Sequence, residues 1–353
     1  MTQRERRLKA LLDEKVLLYN RPAFIEKDPV SIPHLFVQRQ DIEIAGLFAA
    51  VLAWGNRTSI INNCRRLLGW MDNRPYEFVL HHEDSDLRPF LQFAHRTFNA
   101  TDLLYFLHFL QYHYRRFDSL EDAFLPGVPL QGDAGSGQLL CNRDAGDSIG
   151  NSTSRGAAKH RRGTGLQRTR PPIEQPAGAT GRGSEFAGPG PGQATESTAG
   201  EASAVRSGGG RSVRFAPADL KKYSGDSVEQ ALISFHNYFF SLEHPERTRK
   251  HIATPARKSA CKRLNMYLRW MVRNDGQGVD FGLWRRFAPS QLVCPLDVHV
   301  ARVAHRLGLI PDGRSNWSNA LTLTARLRAF RPEDPAIYDY ALFGLGAEER
   351  LGR

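Results

Sequence analysis

An all-α, irregular multi-helix domain interrupted by a long disordered insertion is the fold class this sequence predicts, on three observations. Apolar residues recur at helical spacing before about residue 126 and after about residue 219, in short segments joined by loops of varied length. No stretch shows the alternating pattern of half-buried strands. From about Pro126 to Gly210 the aromatic residues nearly vanish, and Gly, Ser, Thr, Ala, Pro and Arg dominate. Such a composition cannot bury enough apolar surface to offset the entropy of ordering it. The chain therefore divides into an N-terminal helical part (1–126), a low-complexity insertion (127–213) and a C-terminal helical part (214–353).

Residues 5–19 read as a helix with Leu8, Leu11, Leu12, Val16 and Leu17 or Leu18 as its apolar positions, ended by Asn20, Arg21 and Pro22. An irregular connection with Pro29 and Pro33 follows. The run from Asp41 to Trp54 is apolar over more than half of its helical surface, which predicts a central helix packed on several sides. Gly55 and Asn56 break it, and Ser59 to Met71 forms the next helix. Shorter helical stretches are expected over 73–84, Phe90–Phe93 and Phe117–Phe124, with a longer one from Thr101 to Tyr114, capped at Thr101–Asp102. After the insertion the pattern predicts helices over Ser227–Phe240, 259–273, Asp280–Arg286, Trp317–Phe330 and Pro335–Gly344.

The formal net charge is +11, and the segment Val128–Arg211 carries only 10 Arg or Lys against 7 Asp or Glu. Most of the excess thus belongs to the helical parts, which favours a basic surface and a polyanionic partner. The cluster Lys159, His160, Arg161, Arg162, Arg168 and Arg170 in the insertion is read as either a non-specific nucleic-acid contact or a tolerated linker. The charged N-terminus has no apolar stretch of the secretory kind, and no apolar run is long enough to cross a bilayer. A cytoplasmic protein is expected, nucleoid-associated if it acts on DNA, with no membrane partner. Cys64, Cys141, Cys261 and Cys294 lack metal-site spacing and predict reduced, mostly buried thiols. His299 and His305 are six apart and have no nearby cysteine pair or acidic cluster, so neither a metal site nor a cofactor is expected.

The most concentrated signal runs from Cys294-Pro295-Leu296-Asp297 through Arg306-Leu307-Gly308-Leu309. Pro295 stops an extended segment, and Asp297 stands where a helix N-cap belongs. Val298, Val300, Val303, Ala304 and Leu307 supply an apolar side, and Gly308 can adopt the left-handed conformation that ends a helix. A carboxylate at a helix N-terminus is held in its charged form. It is either a cap only or a fixed negative charge that steadies a developing cation.

This segment resembles the signature helix of the helix-hairpin-helix (HhH-GPD) DNA glycosylases, a Val-Asp-Thr-His-Val-x-Arg-Val pattern leading into Arg-Leu-Gly-Leu. Here it reads Leu296-Asp297-Val298-His299-Val300-Ala301-Arg302-Val303 and then Arg306 to Leu309, with Val298 in place of the Thr. A broader resemblance is to the DUF2400 family. It is carried by Pro255 to Arg273, Val279 to Trp284, Pro295 to Leu309 and Asp334 to Gly346. That family is itself distantly similar to the glycosylases, particularly the archaeal 8-oxoguanine type without an iron–sulfur cluster.

The resemblance implies that Asp297 assists cleavage of an N-glycosidic bond. It also implies a lysine whose neutral amine attacks the sugar C1′. Two candidates, Lys258 and Lys262, are four apart and would share a helix face. Lys258 sits in Arg-Lys-Ser-Ala, similar to the stretch after the hairpin of the bacterial enzymes. Lys262 lies in the densest family motif and is the preferred nucleophile. The alternative role for both is contact with a nucleic-acid backbone. The hairpin stretch Ile252 to Arg257 has none of the glycines that bring backbone N–H groups to a phosphate. Direct phosphate contacts are assigned instead to Arg249, Lys250, Arg257, Arg263, Arg269 and Arg302. Tyr267, Trp270 and Trp284 fit a helical core or a base-stacking surface. Two functions follow: a DNA N-glycosylase, with or without AP-lyase activity, on a modified purine such as 8-oxoguanine, or a non-catalytic DNA- or RNA-binding protein on the same scaffold.

Overall fold

The computed structural model describes residues 1–127 and 227–347. The expected disorder of the insertion, its basic cluster and Cys141 lie outside the described residues. A capping box opens α1 (Gln3–Tyr19): Thr2 accepts the Glu5 N–H while the Glu5 carboxylate accepts the Thr2 N–H. Three 3₁₀ turns follow, Pro22–Lys27, Pro29–Ser31 and Pro33–Leu35, each begun by a proline whose missing N–H costs nothing there. Asp28 caps the second by accepting the Val30 N–H at 3.0 Å.

The apolar α2 (Arg39–Leu52) is buried from Asp41 through Leu52, as a centrally packed helix should be. Burying Leu47, Phe48, Val51 and Leu52 contributes roughly 1.5–3 kcal/mol each. α3 (Arg57–Gly69) is capped by Asn56, and α4 (Pro75–His81) and a 3₁₀ turn at Arg88–Gln92 follow. A two-residue hairpin, β1 (Ala94–His95) with β2 (Phe98–Asn99), departs from the purely helical expectation. It turns through Arg96 at φ +56°. α5 (Ala100–Tyr114) is capped by Asn99, not by Thr101–Asp102; Asp102 is the third helical residue and completes a capping box. The expected Phe117–Phe124 helix shortens to a 3₁₀ turn at Leu120–Phe124.

α6 (Ser227–Phe239) leads to 3₁₀ turns at Glu246–Lys250 and Pro255–Arg257 and then to α7 (Lys262–Val272). α7 starts three residues later than its sequence suggests, because Lys258 (φ +59°) and Cys261 (φ +48°) are left-handed. Lys258 is thus outside the helix and shares no face with Lys262. Asp280–Arg286 is not helical either. Its backbone instead caps the end of α7: the Phe281 and Trp284 N–H groups donate to the Trp270 and Met271 carbonyls at 2.8 and 2.9 Å. α8 (Val298–Arg306), α9 (Trp317–Phe330) and, after a 3₁₀ turn at Pro335–Ile337, α10 (Tyr338–Ala347) complete the described chain. Gly308 is left-handed at φ +75°, just beyond α8.

Both helical stretches belong to one unit with one core. α2 packs on α3, α4 and α7, while α10 packs on α1 and α8. At Gly46 a Cβ would stand 2.9 Å from Met271, so the absence of a side chain lets α2 and α7 approach closely. Glu43, fully buried on α2, gathers the interior. It accepts from Tyr114 Oη, Ser119 Oγ, the Leu120 N–H and Trp284 Nε1 and pairs with Arg39. Meeting a buried carboxylate with this many donors fixes how four segments sit together.

Candidate functional site

A cleft of about 600 Å³ opens where the N-terminal ends of α7 and α8 meet α10 and the segments on either side of α2. Lys262, Met266 and Arg269 line it from α7, at the spacing of a single helix face. Asp297 and Val298 line it at the start of α8, and Asp339, Tyr340 and Phe343 from α10. Phe24, Asp28, Trp54 and Arg57 complete the wall from the N-terminal part.

Asp297 is the N-cap of α8. Its Oδ1 accepts the His299 and Val300 N–H groups, both at 2.8 Å. The residue is half-buried, so the carboxylate is clamped to the helix end and still reaches the cleft. Lys262, also half-buried, is the first residue of α7. Lys258 is exposed and does not line the cleft; its carbonyl accepts the Trp317 N–H at 3.1 Å.

Two carboxyls that sequence reasoning passed over lie in the same cleft. Asp339 is buried on the first turn of α10 and bonded to Arg269 Nη1. Burial pushes its carboxyl up to about 6, against the opposing effects of the Arg269 and Lys262 charges, and Asp297 pushes it further up. Asp28 is 9% exposed, and burial raises its carboxyl too.

The titration of Asp339 gives a test. Because the folded state holds its proton more tightly than the unfolded chain, folding gains from that proton below about pH 4 and loses the gain as pH rises through about 6. The stability of the protein relative to Asp339→Asn, read by urea unfolding across a pH series, is expected to fall over that window and then level off. A flat or rising difference would place the titration of Asp339 elsewhere.

The basic residues assigned to phosphate separate into groups. Lys250, Arg257 and Arg302 are exposed. Arg249 is half-buried, bonded to Glu246 at 3.0 Å and set over the Phe240 ring. Arg263 is half-buried and donates to the Val51 carbonyl at 2.6 Å, and desolvation lowers it to about 10. Arg269 is 3% exposed, joined to Asp339 and Asp280, and stacked on Tyr340, so it is a structural cation in the floor of the cleft and not an outer phosphate contact.

The stacking candidates Tyr267, Trp270 and Trp284 are all in the core. Tyr267 Oη donates to the Glu43 carbonyl and Trp284 Nε1 to the Glu43 carboxylate. The tryptophan that lines the cleft is Trp54, beyond the C-terminus of α2, where Gly55 at φ +111° turns the chain; its ring packs against His95 and lies under the Arg96 guanidinium. Cys64, Cys261 and Cys294 are buried free thiols. Among the described residues no group of His, Cys, Asp or Glu is arranged to hold a metal ion, and no helix is long and apolar enough to cross a membrane.

No curated protein and no solved structure matches the chain. The family described as "Protein of unknown function (DUF2400)" matches residues 28–156 and 211–348. Those ranges hold Lys262, Asp297 and both buried carboxyls of the cleft, as well as most of the chain, which belongs to the DUF2400 family.

Proposed function

We propose that the cleft is the active site of a DNA N-glycosylase with AP-lyase activity, acting on a modified purine. The observation that carries this reading is that Asp297 and Lys262, the preferred of the two lysines that the glycosylase resemblance offers, line one open cleft. In the proposed reaction the neutral Nζ of Lys262 forms a bond to C1′ as the C1′–N bond breaks. The base leaves with that electron pair and takes up a proton. Opening of the sugar gives a Schiff base, and loss of a C2′ proton then expels the 3′ phosphate. The Asp297 carboxylate steadies the positive charge that develops on the sugar. Asp339, titrating near 6, is suited to hold or return a proton beside Lys262. The exposed Lys250, Arg257, Lys258 and Arg302 supply backbone contacts.

A second reading, a non-catalytic DNA- or RNA-binding protein, is favoured by the glycine-free stretch Ile252 to Arg257, which forms a 3₁₀ turn at Pro255–Arg257. Base release separates the two. Duplex and single-stranded DNA carrying 8-oxoguanine or uracil is incubated with the full chain under single-turnover conditions, and the free base is measured. Release of the modified purine is expected. DNA binding without release of any base would select the second reading.

A further inference from the structure

The three acidic residues of the cleft differ in what already holds them. Asp297 is tied to the start of α8 by two backbone N–H groups. Asp339 is joined to Arg269, which also faces Asp280. Asp28 accepts one hydrogen bond, from the Val30 N–H to Oδ1, and the charges of Arg269, Lys262 and Arg57 also act on it. It is nonetheless more than nine-tenths buried and lines the cleft. A buried carboxylate with so few donors is costly, and the cost is relieved when a ligand brings N–H groups to it.

The rest of the cleft limits which ligand that is. Phe24, Phe343 and Trp54 line it with aromatic residues, Phe343 with the Arg57 guanidinium over its ring and Trp54 with that of Arg96, and Met266 adds a polarisable apolar side chain. A flat heterocycle with an N–H edge meets both demands, since an extruded base is read by stacking and by hydrogen bonds to its edge. A carboxylate can accept two parallel N–H donors, one on each oxygen, and the Val30 bond leaves Oδ1 a second lone pair. Among the common bases, guanine and its oxidised forms present two adjacent donors, the ring N1–H and the exocyclic amine. Adenine has no ring N–H on that edge, and cytosine carries an acceptor beside its amine.

We infer that Asp28 is the specificity residue of the cleft, accepting N1–H and the exocyclic amine of a guanine-type base stacked on its aromatic wall. This rests on the proposed reading of the cleft as a nucleic-acid base site and names the base class that it takes. The Val30 N–H holds the carboxylate plane, and Lys262 and Asp297, in the same cleft, are left for the sugar.

The test is calorimetric binding of nucleosides to the full chain, using guanosine, 8-oxoguanosine, inosine, adenosine, cytidine and, as a non-nucleoside carrying the same donor pair, arginine methyl ester. Guanosine and 8-oxoguanosine are expected to bind at least about tenfold more tightly than adenosine or cytidine, with inosine between, since it lacks only the amine. Asp28→Asn, which can still cap the turn through its side-chain oxygen, is expected to lose that preference with no fall in melting temperature. Equal binding of guanosine and adenosine, no nucleoside binding up to millimolar concentration, or tighter binding of the arginine ester would each overturn the inference. So would a folded Asp28→Asn that keeps the preference. If the Asn variant does not fold, the order guanosine, inosine, adenosine in the unaltered protein still decides. Covalent trapping on an abasic site involves no base. Failure of trapping beside intact guanosine selectivity would therefore remove the lyase reading and leave Asp28 in place, and the reverse pattern would do the opposite.

Discussion

Asp297→Asn is expected to slow base release by about 10²–10³-fold while leaving the fold unchanged, a loss typical of removing one electrostatic stabiliser of a transition state. The expectation combines two properties of one residue. As a cap, Asp297 accepts the His299 and Val300 N–H groups, and asparagine caps about as well. As a charge, it faces a cleft in which the sugar would turn cationic, and an amide carries no charge to offer. The substitution therefore separates capping from catalysis. Asp297→Ala removes both and should in addition lower stability by roughly 1 kcal/mol. Single-turnover base release and thermal melting of the two variants read these effects independently. A rate unchanged in the Asn variant would reduce Asp297 to a cap.

Arg273→Ala is expected to destabilise the protein by roughly 3–5 kcal/mol, the usual result of removing one partner from a buried ion pair. For a unit of this size that lowers the melting temperature by roughly 10 °C. Arg273 is fully buried at the end of α7, and its guanidinium bonds to Asp280, Asp275 and Asp334. Removing it leaves these carboxylates without their shared cation, and Asp280 also faces Arg269 beneath the cleft. The loss should therefore reach the floor of the site through Arg269 and Asp339. Urea unfolding checks it. A loss below about 1 kcal/mol would mean that water or rearranged side chains replace the guanidinium.

The parts of this architecture legible in the sequence are those set by local rules. The apolar α2, the Asp297 cap and the left-handed Gly308 each follow from residue type and spacing along a few turns. The start of α7 was not legible, because Lys258 and Cys261 adopt left-handed conformations that neither residue type advertises. The segment Asp280–Arg286 has helical spacing of Phe281 and Trp284, yet tertiary demand prevails. Its N–H groups close the end of α7, and its indole serves Glu43. Trp284, for which the core was one of two expected settings, is held there for a similar reason. Buried donors such as that of Trp284 are drawn to Glu43, 241 positions away in sequence, which no local pattern encodes. Asp28 and Asp339 escaped notice because each looks like an ordinary acid beside a proline turn, and only folding brings them to the cleft of Lys262 and Asp297.

The central claim is that the amine of Lys262 does the chemistry in that cleft, and borohydride trapping tests it most directly. The full chain, Lys262→Ala and Lys258→Ala are each incubated with abasic duplex DNA and reductant, and the covalent adduct is measured beside DNA affinity. The account predicts an adduct with the unaltered chain and with Lys258→Ala, and none with Lys262→Ala although that variant still binds. An adduct that persists in Lys262→Ala, or that disappears only in Lys258→Ala, would contradict it.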